Sequence, residues 1–118
     1  MGSLVLPPAI EIRAGTTDRL VIQLLADNDP IDLTGIDHIE IELRDARRNT
    51  YKYSSDDVSP IVGVYDTTQG KVYLDPTTTL FKAICSPYLF YVWIVDSELK
   101  RYSVPEEVEG LIKVRKNY

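Results

Sequence analysis

Residues 38–44, His-Ile-Glu-Ile-Glu-Leu-Arg, alternate apolar and polar positions without a fault. Ile39, Ile41 and Leu43 fall on one side, and His38, Glu40, Glu42 and Arg44 on the other. A period of two is that of a strand with one buried face. A helix would bring Ile39 and Leu43 together but leave Ile41 opposite them. Residues 88–95 form the second strong strand, with Tyr, Phe and Trp interleaved with aliphatic residues. Alternation places Tyr88, Phe90, Val92 and Ile94 on one face and Leu89, Tyr91, Trp93 and Val95 on the other. Both faces are largely apolar, so this strand is expected to be buried on two sides or to face a partner.

Shorter strands are expected at 10–13, 19–26, 50–53, 61–65, 71–75, 101–104 and 110–114, separated by turns rich in Gly, Asp, Asn, Ser and Pro. The run 19–26 (Leu20, Val21, Ile22, Leu24, Leu25) is nearly continuous in apolar residues and suggests a central strand covered on both faces. Residues 88–95 and 101–104 flank a polar turn and suggest a hairpin. One short helix of one or two turns is expected at 75–84, with Asp75 as N-cap, Pro76 at the first helical position, and Leu80, Phe81 and Ile84 on one side. About nine short strands spaced by turns are the pattern of an all-β sandwich or small barrel.

At 118 residues the chain has room for a single domain, with a core at about 9–114, an extended N-terminal arm at 1–8 and a tail at 115–118. Its formal net charge is −5, and its densest basic cluster (Arg44, Arg47, Arg48) is interrupted by Asp45. Phosphate-backbone binding needs a concentrated basic face, so nucleic acid is not expected as a partner. The longest apolar run, 89–95, is far short of the roughly 20 residues that span a bilayer, and the N-terminus lacks a cationic leader, so neither membrane nor export is expected. Cys85 is the only cysteine, and one thiol makes no internal disulfide.

Candidate chemistry is sparse. His38 is the only histidine and reads as a solvated residue on the outward side of its strand; no ligand spacing joins it to Cys85 in a zinc site. Cys85 reads as a buried, inert thiol, since no cationic or helix N-terminal setting would activate it. Asp27, Asp29, Asp56 and Asp57 lie in turns, where carboxylates bond nearby backbone N–H groups. The stretch 27–32 lacks the regular form of a calcium loop. Glu106, Glu107 and Glu109 read as a solvated face. No catalytic, cofactor-binding or metal residue is assigned, no cofactor is expected, and a non-enzymatic role follows.

Several segments together carry a resemblance: Ile10 to Asp18 (Ile-Glu-Ile-Arg-Ala-Gly-Thr-Thr-Asp), the run 19–26, then Pro30-Ile-Asp-Leu-Thr-Gly35 ahead of the alternating strand. Gln69-Gly-Lys-Val-Tyr-Leu74, the aromatic strand 88–95 and Glu109-Gly-Leu-Ile-Lys-Val114 complete it. Over about 9–114 the chain resembles immunoglobulin-like domains of tailed-phage virion proteins and is similar to the N-terminal domain of upper baseplate proteins. The resemblance implies an immunoglobulin-like antiparallel β-sandwich of about 7–9 strands with one short helical turn. It also implies a virion location after synthesis in the host cytoplasm, and a structural role in tail, baseplate or neck, docking on other virion proteins and on copies of itself. A glycan-binding host-adhesion module, suggested by the eight tyrosines, and a capsid decoration protein are the alternatives.

Overall fold

The computed structural model describes residues 4–5, 10–26, 29–104 and 110–115. Among these, the strands are β1 (Leu4–Val5), β2 (Ile10–Arg13), β3 (Leu20–Gln23), β4 (Leu25–Ala26), β5 (Asp29–Pro30) and β6 (His38–Arg44). They continue with β7 (Thr50–Ser54), β8 (Val62–Asp66), β9 (Lys71–Leu74), β10 (Tyr88–Val95), β11 (Arg101–Val104) and β12 (Gly110–Arg115), with a 3-10 turn at Ala83–Cys85.

The two strong periodic segments become β6 and β10 at the residues their patterns mark, and they pair antiparallel along their length, from Leu89↔Arg44 to Val95↔His38. Around them the large sheet runs in the order β2-β12-β10-β6-β7, with β11 joined to the far half of β10 as a hairpin. A second sheet runs β3-β9-β8, and β1-β4-β5 form a small third one. Pairing is antiparallel except between β12 and β2, which run parallel from Ile112↔Ile10. One sheet of B-E-D character facing another of G-F-C character is the immunoglobulin-like sandwich.

Alternation fills the space between the sheets. β6 contributes Ile39, Ile41 and Leu43, and β10 contributes Tyr88, Phe90, Val92 and Ile94; Ile22, Val62, Val72 and Leu74 meet them from the second sheet. Tyr88 brings a hydroxyl into this core at the start of β10. Its Oη donates to the Leu80 carbonyl (3.2 Å) and accepts the Lys82 N–H (3.0 Å), and its ring meets Phe81 edge-on at 5.1 Å. Burial pushes its pKa up to about 12. A tyrosine bonding back to backbone just upstream at this corner recurs in immunoglobulin-like domains.

Loops are closed by carboxylates. Asp32 accepts the Thr34 N–H, Asp66 those of Thr68 and Gln69, and Asp96 those of Glu98 and Lys100. Asp45 is buried and accepts the backbone N–H groups of Arg47 and Asn49, the Asn49 amide and the Tyr51 hydroxyl. In 31–35, Leu33 is driven into the core (1% exposed) and its N–H is bonded to the Thr67 carbonyl. The segment 30–35 is therefore a core-anchored corner.

Two expectations are corrected. Residues 19–26 are not one central strand: β3 is an edge of the second sheet, Val21 is exposed, and the ladder breaks at Leu24. There the Leu24 N–H bonds the Gly70 carbonyl while its own carbonyl accepts the Ile31 N–H, and the chain passes to the small sheet. The helix at 75–84 is absent apart from the 3-10 turn, and Ile84 is exposed rather than packed beside Leu80 and Phe81. The threonine run is a poor helix former, and the Asp75 carboxylate is taken by Arg19 instead of capping. Of the N-terminal arm, Leu4–Val5 pairs with β4; 1–3, 6–9, the tail 116–118, Asp27 and the glutamates 106, 107 and 109 lie outside the described residues.

The junction at Leu24 yields a test. Gly70 has φ +64°, and a Cβ there would lie 2.6 Å from the Ile31 carbonyl oxygen and 2.8 Å from that of Leu24. Gly35 has φ +80° with nothing within 4 Å. Gly35→Ala should cost about 1 kcal/mol from backbone conformation alone. Gly70→Ala should cost about 3 kcal/mol, because rigid backbone must also move. Urea denaturation of both variants checks this, and equal losses would contradict it.

Candidate functional site

The outer face of the large sheet is set by the same register that fills the core. Opposite one another across β7, β6 and β10 stand Ser54, Glu40 and Trp93 in one row and Lys52, Glu42 and Tyr91 in the next. Tyr91 and Trp93 are half-buried, so the outward side of β10 is neither core nor bare. Guanidinium groups cover it. Arg101 donates to Glu40 Oε1 from Nη2 (2.7 Å) and Nε (3.0 Å), and its Cζ sits 4.2 Å from the Trp93 ring centroid. Arg44 donates from Nε to Glu42 Oε2 (2.9 Å), with its Cζ 5.1 Å from the Tyr91 centroid.

The second sheet repeats the device. Arg19, just before β3, makes a two-pronged bond to Asp75, just after β9, at 2.7 and 2.9 Å, and lies 4.1 Å over the Tyr73 ring. Asp75 is held below its usual carboxylate range chiefly by that hydrogen bond. A guanidinium is planar and weakly hydrated, so it can lie on an aromatic face while its edge binds a carboxylate. Each exposed cation–π contact is worth about 0.5–1 kcal/mol, and each exposed ion pair about as little. These covers are displaceable.

Glu42 departs from the expected solvated position: it is 8% exposed, boxed in by Arg44 and by Lys52, whose Nζ is 3.9 Å away. Between Glu42, Lys52, Glu40 and Trp93 runs a groove of about 420 Å³, closed at the loop side by Ser54 and Asp57 and covered at Trp93 by Arg101. The Trp93 Nε1–H is buried and lacks an acceptor.

His38 is also corrected. Its side chain is only 14% exposed and is held between two carboxylates, with Nδ1 2.7 Å from Asp37 Oδ2 and Nε2 3.3 Å from Glu40 Oε2. The Asp37 hydrogen bond, helped by Glu40 and opposed by burial, raises its pKa. Asp56 joins this group, and ligand atoms of Asp37, His38 and Asp56 lie within 4.8 Å of one another. These three carry donor types that suit a divalent cation, yet both ring nitrogens of His38 are already engaged, Nδ1 by Asp37 and Nε2 by Glu40. Sequence spacing concealed the cluster because Asp56 arrives from the loop after β7, which is tied to β6 by Ser55–Ile39 backbone and hydroxyl bonds. Cys85 is buried, as expected, and stands apart from this cluster.

No protein-family model and no curated protein matches the chain. Among solved structures, CopC from Methylosinus trichosporium OB3b superposes with a TM-score of 0.53 at 10% identity, over 100% of this chain and 97% of that one. Murine CRIg does so with a TM-score of 0.46 at 13% identity, over 100% and 99%. The CopC likeness speaks to the fold alone, and it agrees with the immunoglobulin-like sandwich.

The His38 arrangement gives a signed pH effect. Its raised native pKa means that between the unfolded value, about 6.5, and the native one the folded state holds more protons. Stability from this contact is full below the unfolded value and is lost as pH rises through the native value. Urea midpoints measured across neutral pH should fall in this window for the native chain, and this component should vanish in His38→Gln. An unchanged slope in that variant would contradict the assignment.

Proposed function

We propose that this chain is a non-enzymatic structural component of a tailed-phage particle, in tail, baseplate or neck, that works by protein–protein docking in a multi-copy assembly. The sequence resemblance over 9–114 supplies the particle context. The observation that carries docking is the loop end of the sandwich where β10 turns into β11. Leu99 sits there at φ +64°, a left-handed conformation that is unfavourable for a leucine, and its side chain is 67% exposed. Asp96 builds this turn, its backbone carbonyl accepting the Leu99 N–H and its Oδ2 the hydroxyl of Tyr102, itself 51% exposed. At the same end, the loop after β7 carries the fully exposed Val58.

A strained turn that presents apolar side chains to water is retained at a cost to the isolated domain, and the gain fits a partner surface. Loops gathered at one end of a sandwich are a common binding surface. Identical copies around a particle axis would repeat this end with the particle's symmetry.

Mass spectrometry of purified virions should find the chain in many copies per particle, and its absence would overturn the reading. Leu99→Gly relieves the backbone and should leave stability within about 1 kcal/mol of the native chain. The same variant should reduce incorporation into particles at least tenfold in competition with the native chain. Equal incorporation would remove the loop end from the docking surface.

A further inference from the structure

We infer that the groove across β6, β7 and β10 is a binding site for a neutral saccharide. The site lies on the sheet face beside the loop end, but Leu99 and Val58 do not line it, so its test reads separately from docking there.

Charge decides the ligand class first. Glu40 is matched by Arg101, Glu42 by Arg44, and Asp57 faces the same groove as Lys52. Arg44 lies outside the groove, whose walls carry three carboxylates (Glu40, Glu42, Asp57) and two cations (Lys52, Arg101), so nothing there favours a phosphate or an acidic peptide. What remains is a dense set of hydrogen-bonding groups around one aromatic ring, with Ser54 in the same outward row as Glu40 and Trp93. A sugar matches this pairing, with C–H groups to pack on an indole and hydroxyls that donate to carboxylates and accept from an ammonium or guanidinium.

The groove is also built rather than incidental. Glu42 is held nearly buried at its wall, fixed by its register between Lys52 and Tyr91. The Trp93 Nε1–H is a buried donor without an acceptor, and a sugar oxygen is an acceptor of the kind it lacks. Access requires Arg101 to lift from the Trp93 ring. Its side chain is 48% exposed, and the contacts holding it are individually weak. Arg101 is thus a cover over the site, and Glu40 is its latch.

Trp93 is the only tryptophan in the chain, so intrinsic fluorescence reports the groove directly. The purified protein is titrated with glucose, galactose, N-acetylglucosamine and their short oligomers, with inorganic phosphate and spermine as charged controls. At least one saccharide should shift Trp93 emission saturably, with a Kd on the order of 1 mM or tighter, while the controls do not. Glu42→Gln should weaken that saccharide about tenfold. Arg101→Ala should tighten it two- to fivefold, the factor that follows from removing one exposed cation–π contact. Trp93→Phe, followed by amide chemical shifts, keeps a ring at the position and controls for loss of fold. Silence to every saccharide, a response to phosphate or spermine instead, or saccharide binding untouched by Glu42→Gln and Arg101→Ala would each overturn the inference.

Discussion

The register between β6 and β10 determines both faces of the large sheet at once. With Leu43 opposite Phe90, Ile41 opposite Val92 and Ile39 opposite Ile94, the inward rows are wholly apolar. With Glu42 opposite Tyr91 and Glu40 opposite Trp93, the outward rows each put a carboxylate beside an aromatic ring. A slip of one residue would exchange the two faces and place glutamates in the core. The core, the groove and the placing of His38 beside Val95 are consequences of this one alignment. It is strongly determined because β6 has one apolar and one charged face.

Outward aromatics on a sheet pose a problem that the chain meets in the same way three times. Trp93, Tyr91 and Tyr73 are each overlain by an arginine that is also bonded to a carboxylate, Glu40, Glu42 and Asp75 respectively. The guanidinium shields apolar ring surface while keeping polar edges in water, so the face is neither an aggregation patch nor a second core. Because each cover is weakly held, the same rings are available to anything that competes with the arginine. Stability of the sandwich is carried by the buried rows, and the outer face is left free to be specific.

How much of this was legible in the sequence follows from where the information lies. β6 was readable to the residue because its alternation is local and clean, and β10 because its aromatic and aliphatic run is unbroken. The edge position of β3 was not, because a continuous apolar run reports burial of side chains and not the number of hydrogen-bonded neighbours; Leu24 and Leu25 leave that strand at a sheet switch set by Gly70, far along the chain. The Asp75-Pro76 start signal for a helix was sound in isolation and lost to a distant arginine, Arg19. His38 and Glu42 were read as solvated because their strand side was correctly outward. What alternation omits is that an outward face can be roofed by arginines and loops from β11 and from the segment after β7.

The acidic balance of the chain takes on a structural meaning in the same terms. Asp32, Asp45, Asp66 and Asp96 each turn their carboxylate onto backbone N–H groups of their own loop. Asp32, Asp45 and Asp96 are held below the usual carboxylate range; for Asp45, burial pulls upward but is outweighed by bonds from Asn49, Tyr51 and Arg47. Groups with depressed native pKa values contribute stability above their unfolded values and lose it as pH falls through the native ones. His38 acts with the opposite sign, its contribution fading as pH rises. Among these groups, stability is lost toward acid through the aspartates and toward base through His38. Four of the acidic side chains are thus used to close loops, and the groove on the sheet keeps a small acidic excess of its own, Glu40, Glu42 and Asp57 against Lys52 and Arg101.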